Sequence, residues 1–215
     1  MSPELRERLA RRLEAVGAAC DGRAVDALAG WFDLHAKWAK AYNLTGTRDG
    51  ETLVDLHLAD CAAIVPLLPP GPLLDVGSGA GLPGLIVALL EPAREMVLLD
   101  AAGKRTRFLE QVVLELGLTN VTVVTARIED WRPAADTSLA AVLVRAVAPL
   151  ARLAEWTRPL LDAGVPLLAM KGPAWREEAD ALPADLHVTS VQDYGLPGTE
   201  HRHVLVGIRA GAAAA

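Results

Sequence analysis

The chain predicts an α/β fold, a mostly parallel sheet with helices on both faces, and three observations carry that prediction. Short, nearly continuous apolar runs alternate with amphipathic stretches from Leu73 onward, the pattern of strands buried on both sides. The first run, Leu73–Val76, passes into Gly77-Ser78-Gly79-Ala80-Gly81-Leu82-Pro83-Gly84 and then into a second apolar run. Each early strand also ends in a polar residue, namely Asp75, Asp100, Arg127 with Glu129, Arg145 and Lys171. In such folds ligands sit beyond the carboxyl ends of the strands.

Composition bounds the classes. With 215 residues, 52% hydrophobic and 22% charged, the chain is long enough for one domain with a sizeable core and too apolar to be disordered. The formal charge of −6 argues against an overall basic coat, though not against a local basic face. The uncharged run Cys61–Leu74 is shorter than the ~18 residues of a membrane span and holds four prolines. The N-terminal MSPELRERLARRLEAV is charged throughout, so no secretory signal is expected. Cys20 and Cys61 lack paired spacing; both read as free thiols of a cytoplasmic protein, with no metal site.

The elements follow in order. Leu5, Leu9, Leu13 and Val16 predict a helix over Pro3–Val16. Val25, Leu28, Trp31, Phe32, Leu34 and Trp38 predict a second over Ala24–Tyr42, with the two tryptophans in the core. A polar loop, residues 43–47, leads to helical stretches at Glu51–Leu58 and Ala62–Leu68. Strands are predicted at Leu73–Val76, Met96–Asp100, Val121–Ala126, Leu139–Ala146 and Val165–Lys171, with helices at Leu82–Leu90, Gly103–Gly117, Pro149–Leu161 and Trp175–Leu182. Leu186–Tyr194 and His203–Arg209 read as a closing antiparallel pair. The organisation expected is a helical cap over 1–70, the sheet domain over 71–209 and a disordered tail over 210–215.

The glycine loop predicts a cofactor at a helix N-terminus, with backbone N–H groups converging on it. Two cofactor classes compete. Gly79-Ala80-Gly81-Leu82-Pro83-Gly84 matches the dinucleotide fingerprint G-x-G-x-x-G. Yet Asp75 in the last strand position is a poor neighbour for pyrophosphate and a good one, directly or through water, for an α-ammonium. Asp100, placed 21 residues after Gly79, suits a ribose. S-adenosyl-L-methionine carries both groups and is the favoured cofactor; NAD, with an oxidoreductase activity, is the alternative.

The segments DVGSGAGLPG, LLDAAGKRTRFL, ARIED, VRAVAPL and KG, with WAKAYNLTGTRD and LVDLHLAD before them, resemble in order and spacing the bacterial ribosomal RNA small-subunit methyltransferase G family, also called glucose-inhibited division protein B. The resemblance runs from about Trp31 to Val206. It implies a class I (Rossmann-like) methyltransferase fold with a seven-stranded, mostly parallel sheet, an antiparallel C-terminal hairpin and the helical cap. It implies transfer of a methyl group from S-adenosyl-L-methionine to N7 of a guanine in 16S ribosomal RNA. Family cofactor contacts fall on Gly77, Leu82, Ile128, Glu129 and Arg145, beside Asp75, Ser78, Gly79 and Asp100 from the loop and strand-end reading. Cys61 stands where the family often has serine, in His-Leu-Ala-Asp-Cys.

Arg145 is the candidate catalytic residue, acting on the cofactor carboxylate or guanine O6. RNA contacts are expected from Asn43, His57, Lys104, Arg105, Arg127, Lys171 and Arg202, with Thr45, Arg48, Arg107, Arg176 and His203 able to extend the face. Basic residues at the start of the Gly103 helix oppose the macrodipole, which suggests phosphate contact. The partner expected is ribosomal RNA or the small-subunit particle, with no membrane association and a monomeric protein. The remaining alternative is a methyltransferase of the same fold acting on a small molecule or protein.

Overall fold

The computed structural model of the chain describes residues 1–134, 137–196, 198 and 202–211, with Arg202 described by its backbone alone. Helix α1 (Pro3–Ala15) starts at Ser2, whose Oγ accepts the Leu5 amide, with Pro3 in the first turn where its missing N–H costs nothing. Helix α2 (Gly22–Trp38) starts at Asp21, which accepts the Ala24 amide at 2.8 Å. It stops at Trp38, short of Tyr42, where the Ala41 and Tyr42 amides turn back onto the Trp38 carbonyl. Then α3 (Gly50–Thr52), a π turn (Leu53–Leu58), α4 (Ala59–Ala63) and a 3-10 turn (Val65–Leu67) run on continuously. Arg8 Nε and Arg12 Nε both donate to Asp55 Oδ1, at 2.9 and 2.8 Å, and tie α1 to the π turn.

The sheet contains β1 (Leu73–Val76), β2 (Met96–Asp100), β3 (Val121–Thr125), β4 (Ala141–Arg145), β5 (Leu167–Lys171), β6 (Leu186–Gly195) and β7 (Arg202–Ala210). Their order is β3-β2-β1-β4-β5-β7-β6, parallel except for β7, which runs against both neighbours. The chain goes outward from β1 to β3 and resumes at β4 on the other side of β1, so the order reverses between β1 and β4. Helices α5 (Gly84–Leu90), α6 (Gly103–Glu115), α7 (Leu150–Trp156), α8 (Arg158–Asp162) and α9 (Trp175–Ala179) complete the chain.

Several boundaries differ from the periodicity. The helix predicted over Pro149–Leu161 is two helices, because Pro159 has no N–H to continue the first and sits in the opening turn of the second. Helix α5 begins at Gly84 and not Leu82; the Leu82–Pro83 peptide is cis and Pro83 is the cap. At the sheet edge, β3 is partly buried at Val121, Val123 and Val124 and exposed at Thr122 and Thr125, and has no fully buried position. Ala210, assigned to the tail, closes β7, and residues 212–215 lie outside the described residues.

Side-chain alternation sorts the core into two layers. Leu73, Leu98, Leu143 and Met170 join Leu9, Leu28, Trp31, Leu58, Leu85 and Phe108, so α1, α2, the π turn, α5 and α6 cover one face. Leu74, Leu99, Val142 and Ala169 join Leu150, Leu153 and Leu161 on the other. The N-terminal helices therefore share a hydrophobic cluster with the sheet. Trp31 is fully buried there, and its indole N–H donates to the Ala80 carbonyl at 2.9 Å, which ties α2 to the glycine loop.

Candidate active site

The glycine loop does not offer its amides to a ligand as expected. Gly77 and Ser78 N–H donate to the Leu99 carbonyl at 2.8 and 3.1 Å, and Gly79 N–H to Asp100 Oδ2 at 2.9 Å. Gly81 and Leu82 N–H turn onto the Ser78 carbonyl at 2.7 and 3.0 Å. Gly84 N–H, at the start of α5, donates to Asp75 Oδ2 at 3.0 Å. The buried helix is thus closed at its positive end by a carboxylate. At the other end Arg23 donates to the Leu89 and Leu90 carbonyls at 3.1 and 3.2 Å, the pairing the macrodipole favours. Gly77 needs to be glycine twice over: its φ is +74°, and a Cβ would lie 2.7 Å from Val147 Cγ2.

Asp75 differs from its sequence reading. It is 1% exposed, leaves Oδ1 without a partner and lines neither site cavity. Burial, the leading cause, pushes its carboxyl up to about 7 against the pull of the Gly84 amide. The sequence reading places this carboxyl near an ammonium group, directly or through water; in the structure Oδ2 braces β1 against α5 through the Gly84 amide. Strand parity sends the side chain toward α5 and not beyond the strand end.

Two cavities meet at the order reversal. The larger, about 540 Å³, is lined by Asn43, Thr45, His57, Ser78, Gly79, Leu82, Arg145 and Ala146 among others. The smaller, about 190 Å³, lies between Val76, Leu99, Ala126, Ile128, Glu129 and Trp156, with Asp100 at its side. Gly77, Arg105 and Val147 line both. Ala146 takes φ +53°, a strained backbone for a residue with a Cβ, directly after Arg145.

Asp100 is 3% exposed; Oδ1 accepts the Ala102 amide at 2.8 Å, while Oδ2 accepts Gly79 N–H and faces Arg105 Nη1 at 3.4 Å. Arg105, expected to reach RNA, instead rests on this carboxylate at the junction of the cavities, and its Nε is buried without a partner. One helical position separates the exposed Lys104 from Arg105, whose side chain is 42% exposed and reaches back to Asp100.

Arg145 is held by a buried network. Its Nε donates to Asp60 Oδ2 at 2.9 Å and its Nη2 to His57 Nδ1 at 3.0 Å. Asp60 Oδ1 also accepts the Tyr194 hydroxyl at 3.1 Å and faces His203 Nδ1 at 3.1 Å. Burial pushes the Tyr194 hydroxyl and the Cys61 thiol upward, so both stay protonated. The convergence of Arg145, Tyr194 and His203 on Asp60 was missing from the sequence reading. The available signal was His57 and Asp60 three residues apart, together with the alternation that sends Arg145, Tyr194 and His203 to the same face.

The other candidates divide. Asn43 is exposed at the rim, and its Oδ1 accepts the Gly46 amide at 3.0 Å. Lys104, Arg107, Arg127 and Glu129 are exposed, and Ile128 is buried. Lys171 Nζ donates to the Ala148 carbonyl and to Glu178, each at 2.7 Å, on the face opposite the N-terminal helices. Its charge is thus engaged within the protein, on the face away from Arg145 and His57. The Arg202 side chain lies outside the described residues.

A sheet in this order, with β7 reversed, a glycine loop after β1 and a carboxylate closing β2, defines a Rossmann-like methyltransferase. Solved structures share the fold: TrmN from Thermus thermophilus matches 72% of this chain and 49% of its own at 19% identity and TM-score 0.52. A branched-chain polyamine synthase from Thermus thermophilus matches 84% and 63% at 17% identity and TM-score 0.54. The family model described as rRNA small subunit methyltransferase G matches residues 25–205. Proteins named ribosomal RNA small subunit methyltransferase G are 46% identical in Halorhodospira halophila, over 95% of this chain and 97% of theirs, and 42% identical in Chromohalobacter salexigens, over 97% and 99%. The chain belongs to the rRNA small subunit methyltransferase G family.

Proposed function

We propose that the protein transfers a methyl group from S-adenosyl-L-methionine to N7 of a guanine in 16S ribosomal RNA. Family membership supports the reaction and the RNA. The observation that carries the cofactor is the glycine loop, whose amides at Gly77, Ser78, Gly79, Gly81, Leu82 and Gly84 all have acceptors inside the protein. A pyrophosphate would find no free row of N–H groups there and would meet Asp100. The NAD alternative therefore loses its main support.

The residues present fit the favoured cofactor. Asp100 supplies acceptors for the ribose hydroxyls once Arg105 moves aside, and the cleft between Leu99, Ala126 and Ile128 takes a flat base, with Glu129 at its rim. Gly77, Ser78, Gly79 and Leu82 border the amino-acid end. Arg145 has Nη1 left for the cofactor carboxylate, since Nε and Nη2 are engaged. When bound, the cofactor supplies a methyl group already activated by its sulfonium. Guanine N7 is an exposed lone pair, unprotonated at neutral pH, so no side chain has to remove a proton. The protein's part is positioning and electrostatics, which can lower the barrier by about 7–11 kcal/mol.

The RNA half rests on exposed cations. Arg127 lines the smaller cavity, and Lys104 and Arg107 stand exposed on the first turns of α6; none has an ion pair among the described residues, in a chain whose net charge is −6. Asn43 and Thr45 border the cavity from the cap, residues 1–70, and Arg202 stays a candidate from sequence alone. No described helix is long and apolar enough to cross a membrane. We propose a cytoplasmic location on the strength of a ribosomal substrate, and a monomer because the exposed large apolar residues Tyr42, Leu56, Leu114, Val147 and Val191 belong to separate segments.

The test is methylation of small-subunit ribosomal RNA from cells lacking the protein, with nuclease mapping of the product. A single new N7-methylguanine is expected. Tight binding of NAD without binding of S-adenosylhomocysteine overturns the cofactor, and transfer only to a small molecule or protein overturns the substrate.

A further inference from the structure

The contact between Arg145 and His57 fixes more than the arginine's position. Arg145 Nη2 lies 3.0 Å from His57 Nδ1. A guanidinium can only donate, so Nδ1 accepts and the ring proton sits on Nε2. His57 lines the larger cavity, and its Nε2 is not one of the buried polar atoms lacking a partner. Among the described residues no hydrogen bond engages Nε2, so it is an accessible N–H donor on a residue that borders the cavity. Asp60 holds the arrangement in place by accepting Arg145 Nε at 2.9 Å, and it is itself held by Tyr194 and His203. His57 also sits on the π turn Leu53–Leu58, a distortion that recurs at functional sites.

We propose that His57, locked by Arg145 into the tautomer with its proton on Nε2, donates a hydrogen bond to O6 of the methyl-accepting guanine and so selects guanine over adenine. This rests on the guanine-N7 reading above. On its Hoogsteen edge guanine presents N7 and O6, both acceptors, whereas adenine presents N7 and an amino donor. N7 has to stay free for the methyl group, so recognition falls to the neighbouring atom. A fixed N–H accepts guanine there and opposes the adenine amino group.

The other polar groups of the cavity serve less well. Thr45 Oγ1 is already engaged, donating to the Thr47 carbonyl and accepting from His35 Nε2. Asn43 has its Oδ1 on the Gly46 amide and stands exposed at the rim, so it holds no donor fixed within the cavity. Arg145 is a cation, and the purine gains positive charge as the methyl arrives, so a neutral donor suits the developing charge better. His57 stays neutral because burial, and after it the Arg145 charge, hold its pKa below the ordinary value. The groups around the ring are Arg145 on β4, Asp60 on α4, which works the other way, and His35 on α2, itself held neutral.

The experiment compares the unmodified protein with His57→Ala and His57→Gln for methyl transfer to small-subunit ribosomal RNA, for S-adenosylhomocysteine affinity, and for activity from about pH 5 to about pH 8. His57→Ala is expected to lower kcat/KM about 100-fold, the effect of one preorganised donor, while product affinity changes by less than about twofold. His57→Gln, which keeps a neutral donor, recovers about tenfold or more and lacks the acid limb that protonation of His57 gives the unmodified protein. The inference is overturned if alanine leaves activity within about threefold, weakens product binding in proportion, or is not improved on by glutamine. It is overturned too if the glutamine variant keeps the acid limb. No transfer by the unmodified protein removes the guanine reading and this inference together, whereas a fully active His57→Ala removes this inference alone.

Discussion

Arg145 and Lys171 close neighbouring parallel strands, and their side chains leave the sheet through opposite faces. The register pairs Arg145 with Met170, so Lys171 is one residue out of step. Since side chains alternate along a strand, that single step sends Arg145 to Asp60 and His57, and Lys171 to Glu178 on α9.

Lys171→Ala is accordingly expected to leave RNA affinity and its salt dependence unchanged while lowering stability by about 1–3 kcal/mol, the cost of stranding a buried charged hydrogen bond. Arg127→Ala should do the reverse, with a salt slope shallower by about 1 and unchanged stability. Filter binding at several salt concentrations and denaturant unfolding separate the two. Arg145→Ala should fold and lose methyl transfer; normal turnover in that variant would remove Arg145 from the site.

The Asp100–Arg105 contact predicts competition between the arginine and a ligand. Asp100→Asn, one acceptor poorer, should weaken S-adenosylhomocysteine binding about tenfold or more. Arg105→Ala should bind it as well as, or a few times better than, the unmodified chain, because no ion pair has to part first. Calorimetric titration reads both, and a large loss of affinity in Arg105→Ala would show that the arginine holds the ligand.

Asp75 makes the fold favour acid. Its carboxyl ordinarily titrates at 3.8 and is pushed up to about 7 in the fold, so between those values the folded chain holds a proton that the unfolded chain has lost. Stability from this group is complete below the lower value and falls as pH rises through the upper one. Asp75→Asn keeps an acceptor for Gly84 and cannot ionise. Its stability relative to the unmodified chain should rise by up to about 4 kcal/mol between acid and mildly alkaline pH, measured by denaturant unfolding at each pH.

His35 acts in the opposite sense. It is 1% exposed, stacked on Trp31 with centroids 5.0 Å apart, and burial is the main cause of its fall from 6.5 to about 4. Within that window the unfolded chain takes up the proton first, so stability drops as pH falls, by up to about 3 kcal/mol. Because Thr45 donates its hydroxyl to Thr47, His35 bonds it through Nε2–H, and the lone pair on Nδ1 stays unpartnered. His35→Gln, which keeps a donor, should flatten the acid side of the stability curve.

The alternation of apolar runs, the turn chemistry of Gly77 to Gly84 and the acid at Asp100 were enough to place the strands and the reversed hairpin, because each depends on residues near one another in the chain. Helix ends were less legible: the stop at Trp38 depends on where the Ala41 and Tyr42 amides turn. The site itself was legible as a set of positions and much less as a set of contacts. Asp75, Arg105 and Lys171 each meet a partner within the protein that their local pattern does not reveal. A polar group at a strand or helix end takes whichever partner the packed layer opposite presents. For Arg145 that partner, Asp60, lies 85 residues away in sequence, and only the closing of the N-terminal helices over the sheet brings the two together.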